Sequence, residues 1–202
     1  MWPMQALEQT ALSQYTSLRA GGLAEHLIVT DSDDSLADIV SHIEGPVWVL
    51  GYGTNCLISD KGLPGTVILN HSGAIKQISP TVFQVDSGVI WDEFVLLSID
   101  HGLYGLEFMS GIPGGVGAAI KGNIAAYGHK VADTLVEATI LDPKTGEIKE
   151  WRKTDLGLEY RASKLQRPEL DHLVILNGTF ELSPEPKSEL EYESALRVSQ
   201  EI

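Results

Sequence analysis

Two glycine-rich segments contain the residues of this sequence that are best suited to ligand chemistry. The first segment, residues 50–57 (LGYGTNCL), directly follows an apolar β-type run at 47–50. Glycines let a backbone approach a ligand closely and turn successive amides toward phosphate oxygens. Thr54 and Asn55 add side-chain donors. The segment therefore predicts an anion-binding loop, and a tight strand-to-loop turn is the structural alternative.

The second segment, residues 105–119 (GLEFMSGIPGGVGAA), has glycines at positions 111, 114, 115 and 117. Because glycine is entropically costly, this much bare backbone favours contact with a flat or anionic ligand over a purely structural loop. Ile112 and Val116 offer apolar contact to a ring. Residues 123–128 (NIAAYG) follow at once, and we expect them to line the same cavity.

A third segment, residues 159–163 (EYRAS), is weak evidence by itself, because an arginine beside a tyrosine is more often a surface residue. Two common nucleotide motifs are absent. The third glycine of a G-x-G-x-x-G dinucleotide fingerprint would fall at Cys56, and no G-K-[ST] phosphate loop occurs.

Composition excludes several classes of function. The chain has 202 residues and a formal net charge of −14, which argues against binding to nucleic acids or anionic membranes. One cysteine and six histidines without ligand spacing predict no metal site. No apolar run approaches the roughly 20 residues of a membrane span, and no signal peptide is evident, so we expect a cytoplasmic protein.

The pattern of elements predicts an α+β fold with two subdomains. Residues 1–16 show no strong pattern and predict an arm. Residues 17–70 predict a small α/β unit with the order β-α-β-loop-β, and residues 71–183 an antiparallel α+β unit whose final strand has a bulge at Gly178. Residues 184–202 predict a linker and the start of a further domain that lies outside this sequence.

In this order, the segments resemble the UDP-N-acetylenolpyruvoylglucosamine reductase (MurB) family over about residues 16–192. Residues 50–57 are similar to the family's L-G-x-G-S-N-x-L, and 106–117 to L-E-x-x-x-G-I-P-G-x-V-G. Residues 123–128 resemble N-x-G-A-Y-G, and 160–163 resemble Y-R-x-S. The resemblance implies an FAD-binding fold of the vanillyl-alcohol-oxidase (PCMH) type, with the cofactor held between two subdomains.

The resemblance also implies a reaction. NADPH would reduce FAD, and the flavin would reduce UDP-N-acetylglucosamine enolpyruvate to UDP-N-acetylmuramate for peptidoglycan synthesis, a pathway tied to cell shape and division. Arg161 matches the family's catalytic arginine, and its bidentate fork suits the substrate carboxylate. Tyr160, Arg161 and Tyr192 are the implied substrate contacts. The implied FAD-binding residues are Leu50, Gly51, Tyr52, Gly53, Thr54, Asn55, Cys56, Leu57, Ser110, Gly111, Ile112, Pro113, Gly114, Val116, Gly117, Ala118, Asn123, Tyr127 and Gly128.

The sequence departs from the family pattern in ways that leave four hypotheses open. Thr54 replaces a serine, Ala125 replaces a glycine, Gly115 stands where threonine is common, and the family's serine proton donor motif does not occur. The chain is a flavin-binding part with little turnover, a reductase completed by another chain, a flavin oxidase of the same superfamily, or a remnant that has lost FAD. We also expect self-association through surface that would face the missing domain.

Overall fold

The computed structural model describes residues 6–186, which form two β-sheets with helices packed against them. The first sheet has four strands in the order β1-β2-β4-β3, where β1 is antiparallel to β2 and the other pairs are parallel. Its strands are Leu7–Ala11 (β1), Leu23–Thr30 (β2), Val47–Leu50 (β3) and Leu63–Asn70 (β4).

Helix α1, Asp33–His42, connects β2 to β3. Its apolar residues recur at helical spacing, and Leu36, Ile39 and Val40 are buried as that spacing predicts. The parallel strands β3 and β4 both end at the same edge of the sheet, where the loop after β3 begins.

The second sheet has five antiparallel strands in the order β10-β9-β11-β6-β5. They are Ile75–Gln77 (β5), Val82–Asp86 (β6), Leu135–Asp142 (β9), Glu147–Arg152 (β10) and Val174–Glu181 (β11). A two-stranded ribbon consists of Ala125–Ala126 (β7) and His129–Lys130 (β8). The remaining helices are Trp91–Asp100 (α2), Val116–Gly122 (α3) and Lys153–Leu156 (α4), and short 3₁₀ turns occur at Leu12–Tyr15, Glu107–Met109, Val131–Asp133 and Lys164–Gln166. Among the described residues, no helix is long and apolar enough to cross a membrane.

The two sheets share part of one hydrophobic core. Leu36 of α1 and Ile68 of β4 pack in one cluster with Leu141 of β9 and Leu176 of β11. A larger core lies around the second sheet, where four aromatic rings at positions 83, 91, 94 and 180 contact one another and are at most 1% exposed. Because apolar burial is the main stabilising force, this shared core fixes the two sheets against each other.

Two predictions of local structure are wrong. Residues 7–11, predicted as part of an arm, form the edge strand β1, which the side-chain pattern does not reveal because its first three residues are exposed. The bulge predicted at Gly178 is also misplaced, since Gly178 pairs with Ala138 and Val85, and the irregularities lie on either side of it. A Cβ at Gly178 would lie 2.6 Å from Cδ1 of Ile120, so close packing of α3 explains this glycine. The predicted subdomain boundaries at 16/17, 70/71 and 183/184 stay predictions.

Phe94→Ala should lower the free energy of unfolding by about 3–5 kcal/mol, because it leaves a cavity in the aromatic core. The matched control is Leu96→Ala on the same helix, where the side chain is 52% exposed. We expect that change to cost no more than about 0.5 kcal/mol. Urea unfolding measures both, and equal effects at the two positions would contradict the core assignment.

Candidate functional site

The segment Ser87–Val89, between β6 and α2, is where the two sheets and helix α3 are hydrogen-bonded together. The carbonyl of Ser87 accepts from the N–H of Gly117 at 2.8 Å, and the carbonyl of Val89 accepts from Val116 at 2.9 Å. The N–H of Ser87 donates to the carbonyl of Leu176 in β11 at 2.8 Å. This segment therefore holds the start of α3 against the second sheet.

The same segment is bonded to the first sheet through buried polar groups. Asn70, at the end of β4, donates from Nδ2 to Oγ of Ser87 at 2.7 Å and accepts at Oδ1 from the N–H of Ser72 at 3.1 Å. The N–H of Gly88 donates to Oγ of Ser72 at 3.0 Å. The Tyr52 hydroxyl donates to the carbonyl of Gly88 at 2.8 Å, which ties the loop after β3 to the same point.

The loop after β3 presents a row of backbone donors. In the described part of the chain, no hydrogen bond outside helices and strands uses the N–H groups of residues 52–55. Gly53 has φ +61, and a Cβ there would collide with the carbonyl of Tyr15, so only glycine fits. A Cβ at Gly51 would instead meet no atom within 4 Å. The backbone at Gly51 is therefore open to a ligand.

The two glycine-rich segments line one cleft of about 190 Å³ between the sheets. Gly51 lies on one wall, and Gly117 and Ala118 of α3 lie on another. The loops also approach each other directly, because the Thr54 hydroxyl lies 3.4 Å from the carbonyl oxygen of Pro113 and accordingly donates to it. Further lining residues are Val47, Val49, Asn70, Ser87, Gly115, Lys121, Pro143, Asp171, His172, Leu173, Val174 and Ile175.

Several glycines of the second segment serve packing. A Cβ at Gly117 would lie 2.8 Å from Cβ of Ser87, so α3 approaches this closely only without a side chain. The N–H groups of Val116 and Gly117 are already bonded to the protein, and they are not the donors that a phosphate would use. Val116 and Gly117 therefore contribute packing at the start of α3 and offer no free N–H donor.

Other predicted cofactor residues have side chains engaged elsewhere. Leu50 and Cys56 pack against the core of the first sheet, Val116 is fully buried in the main core, and Ile112 packs against it. The Ser110 hydroxyl and the Gly111 N–H both donate to Oδ1 of Asp92, at 2.8 and 2.7 Å. These residues shape the loops, and their roles in cofactor binding stay predictions.

The segment around Arg161 lies beside the NIAAYG segment. Asn123, 1% exposed, donates from Nδ2 to the carbonyl of Glu159 at 2.7 Å and accepts from the N–H of Ala132 at 3.0 Å. Arg161 is exposed with φ +51, and its Nη2 donates to the carbonyl of Ala125 at 3.4 Å. The exposed fraction of Tyr160 is 84%, whereas Tyr127 is half-exposed and Gly128 is exposed. Tyr192 lies outside the described residues.

Burial shifts the pKa of three groups near the cleft. Burial raises the pKa of the Tyr52 phenol, and the Glu93 carboxylate raises it further. Burial also raises the pKa of the Cys56 thiol, which favours the unreactive protonated form. In contrast, burial lowers the pKa of Lys121, an effect that the negative charge of Asp171 opposes.

Sequence reasoning missed Asn70, Ser87, Lys121 and His172 as residues of the cleft. Asn70 had a usable signal, because a polar residue at the carboxyl end of a buried parallel strand lies where α/β ligand sites form. The other three reach the cleft only through tertiary packing. Among the side chains that the structure describes, no group of three or more His, Cys, Asp or Glu residues is arranged to hold a metal ion.

Two sheets joined across a glycine-lined cleft define an α+β protein of the cofactor-binding class. Residues 24–152 match the family model described as FAD binding domain. The chain belongs to this FAD binding domain family, and the predicted fold class is confirmed.

Named relatives confirm the predicted resemblance. The UDP-N-acetylenolpyruvoylglucosamine reductase of Salinispora arenicola is 36% identical over 184 residues, which cover 88% of this chain and 50% of the relative. The enzyme of the same name from Thermobifida fusca is 36% identical over 179 residues, 85% of this chain and 50% of the relative. The chain thus spans about half the length of these relatives. The crystal structure of the Thermus caldophilus reductase (MurB) matches with a TM-score of 0.75 and 28% identity, covering 98% of this chain and 68% of that one.

Asn70→Ala should destabilise the chain by about 1–3 kcal/mol for each buried partner left unpaired. It should also weaken FAD binding, because the segment that positions both loops loses a bond. Asn177→Ala is the control: this asparagine of the second sheet does not line the cleft, and it accepts one hydrogen bond from Thr139, at 2.9 Å. Urea unfolding measures the stability of both variants, and flavin titration measures their FAD affinity. An unchanged FAD affinity in Asn70→Ala would contradict the role assigned to Ser87–Val89.

Proposed function

We propose that this chain is the FAD-binding portion of a UDP-N-acetylmuramate dehydrogenase. The observation that carries the proposal is the loop after β3: the N–H groups of residues 52–55 make no backbone hydrogen bond outside helices and strands, and Gly51, at the start of this loop, lines the same cleft as Gly117 of α3. Consecutive backbone N–H groups of this kind form an anion-binding concavity. The family match to an FAD binding domain supports a dinucleotide diphosphate as that anion.

The residues on the cleft suit FAD in their mixture of polar and apolar groups. The N–H groups of residues 52–55 would hold the diphosphate, with Thr54 and Asn55 at the rim. Val47 and Val49 of β3, with Leu173 and Ile175, provide apolar wall for a flat ring system. When bound, FAD supplies the ability to accept a hydride from a nicotinamide and pass it to a carbon atom. The protein contributes binding, orientation and exclusion of water.

Arg161 is the residue that we assign to catalysis. Among the described residues, its guanidinium makes one long hydrogen bond, to Ala125, and Arg161 is exposed, so its donors are accessible to a substrate carboxylate. Stabilising that carboxylate matters because reduction of an enolpyruvyl group places negative charge beside it. Tyr160 and Tyr192 are proposed substrate contacts.

The relatives' names support the substrate class, a UDP-sugar that bears an enolpyruvyl group. We propose NADPH as the hydride source and peptidoglycan precursor synthesis in the cytoplasm as the setting, with consequences for cell shape and division. The domain that completes the substrate site in such an enzyme would be additional to residues 6–186.

The first test is a visible absorption spectrum of the purified chain after addition of FAD and desalting. We expect a yellow protein with flavin bands, which anaerobic NADPH should bleach. FAD retention without bleaching would contradict the proposed hydride source. A colourless chain that takes up no FAD would overturn the cofactor assignment and favour a remnant that has lost FAD.

Arg161→Ala should separate catalysis from cofactor binding. Because its one hydrogen bond is long and exposed, we expect FAD affinity within about two-fold of wild type and a stability change within about 0.5 kcal/mol. If the reduced wild-type chain is oxidised by the enolpyruvyl substrate, Arg161→Ala should slow that step by about 10²–10³-fold, as for loss of one oxyanion donor. Rapid-mixing absorbance measures that step, and an unchanged rate would remove Arg161 from the mechanism.

A further inference from the structure

Lys121 is a half-buried cation on the wall of the cleft, in the last turn of α3. Its Nζ donates to the backbone carbonyl of Asp171 at 3.1 Å. Its own carbonyl accepts from the Ser163 hydroxyl at 2.6 Å, which anchors this end of the helix. The side chain is therefore held in the cleft.

The charge of Lys121 is incompletely compensated. An ammonium has three donors, and among the described residues only the bond to Asp171 uses one of them. No carboxylate that the structure describes lies within ion-pair distance of Nζ. Burial accordingly lowers the pKa of Lys121, and the more distant negative charge of Asp171 opposes this only in part. An anion in the cleft would favour the charged form.

The other basic residue of the cleft already has a partner. His172 lies with Nε2 3.5 Å from Oδ1 of Asp142, a carboxylate whose pKa is lowered chiefly by the backbone N–H of Lys144. Lys121 is thus the cleft cation whose charge remains available to a ligand. It lines the same space as Gly51, where the bare backbone begins the row of unbonded N–H groups.

We propose that Lys121 binds the diphosphate of FAD. Its positive charge would complement the neutral backbone donors of residues 52–55. The inference rests on the proposed FAD binding. The loop after β3 offers only neutral backbone donors, and Lys121 of α3 would add a point charge to them. The chain as a whole has a net charge of −14. The contact therefore offsets the repulsion that an acidic protein exerts on a phosphate ligand.

The test compares FAD dissociation constants of wild type, Lys121→Met and Lys121→Arg, measured by flavin fluorescence at several salt concentrations. Methionine keeps the length and removes the charge. We expect a loss of about ten-fold or more for Lys121→Met, as for one charge-assisted hydrogen bond, and a shallower dependence of affinity on salt. Lys121→Arg should recover most of the affinity. Thermal unfolding of each apo variant checks that the fold is retained.

Lys153→Met is the matched control, since Nζ of Lys153 also donates to a backbone carbonyl, that of Ala132, at 3.0 Å, but outside this cleft. It should leave FAD affinity within two-fold. FAD binding by Lys121→Met within two-fold of wild type would overturn the proposal, as would a loss that keeps the wild-type salt dependence or that arginine does not recover. If wild type binds no FAD, the proposed function itself fails. If wild type binds FAD but the Lys121 variants do not behave as expected, only the proposal about Lys121 fails.

Discussion

The arrangement of this protein depends on one short segment, Ser87–Val89, which hydrogen-bonds simultaneously to both sheets and to α3. Asn70 reaches it from the first sheet, Gly117 from α3 and Leu176 from the second sheet. Because buried polar groups are costly when unpaired, each of these bonds constrains the others. The cleft exists where it does because this segment sets the distance between the two glycine-rich loops.

The glycines of the site divide into two physical kinds. Gly117 lacks a side chain because α3 packs directly on Ser87, and Gly53 because its backbone has positive φ beside Tyr15. Gly51 is different, since the position of its missing Cβ is open space in the cleft. A glycine in such a sequence can therefore indicate either close packing or access for a ligand. The structure is needed to tell which of the two applies at each position.

Local patterns in the sequence predicted most of the fold. The helical spacing of Leu36, Ile39 and Val40 is enough to predict α1, and the turn residues of 142–147 (DPKTGE) are enough to predict the β9–β10 hairpin, because side-chain spacing and turn chemistry are local. Strand β1 was missed because backbone pairing with β2 creates it. Both loops of the site were found through their glycines, whereas Lys121 and Ser87 were missed because their positions depend on packing between distant segments.

We assign the diphosphate of FAD to the unbonded N–H groups of residues 52–55, at the cleft between the sheets. The most direct measurement is a crystal structure of the chain with FAD bound. The account predicts diphosphate oxygens within hydrogen-bonding distance of at least two of these N–H groups, with the flavin nucleotide between the Gly51 loop and α3. A cofactor bound elsewhere, with these N–H groups facing solvent, would contradict it.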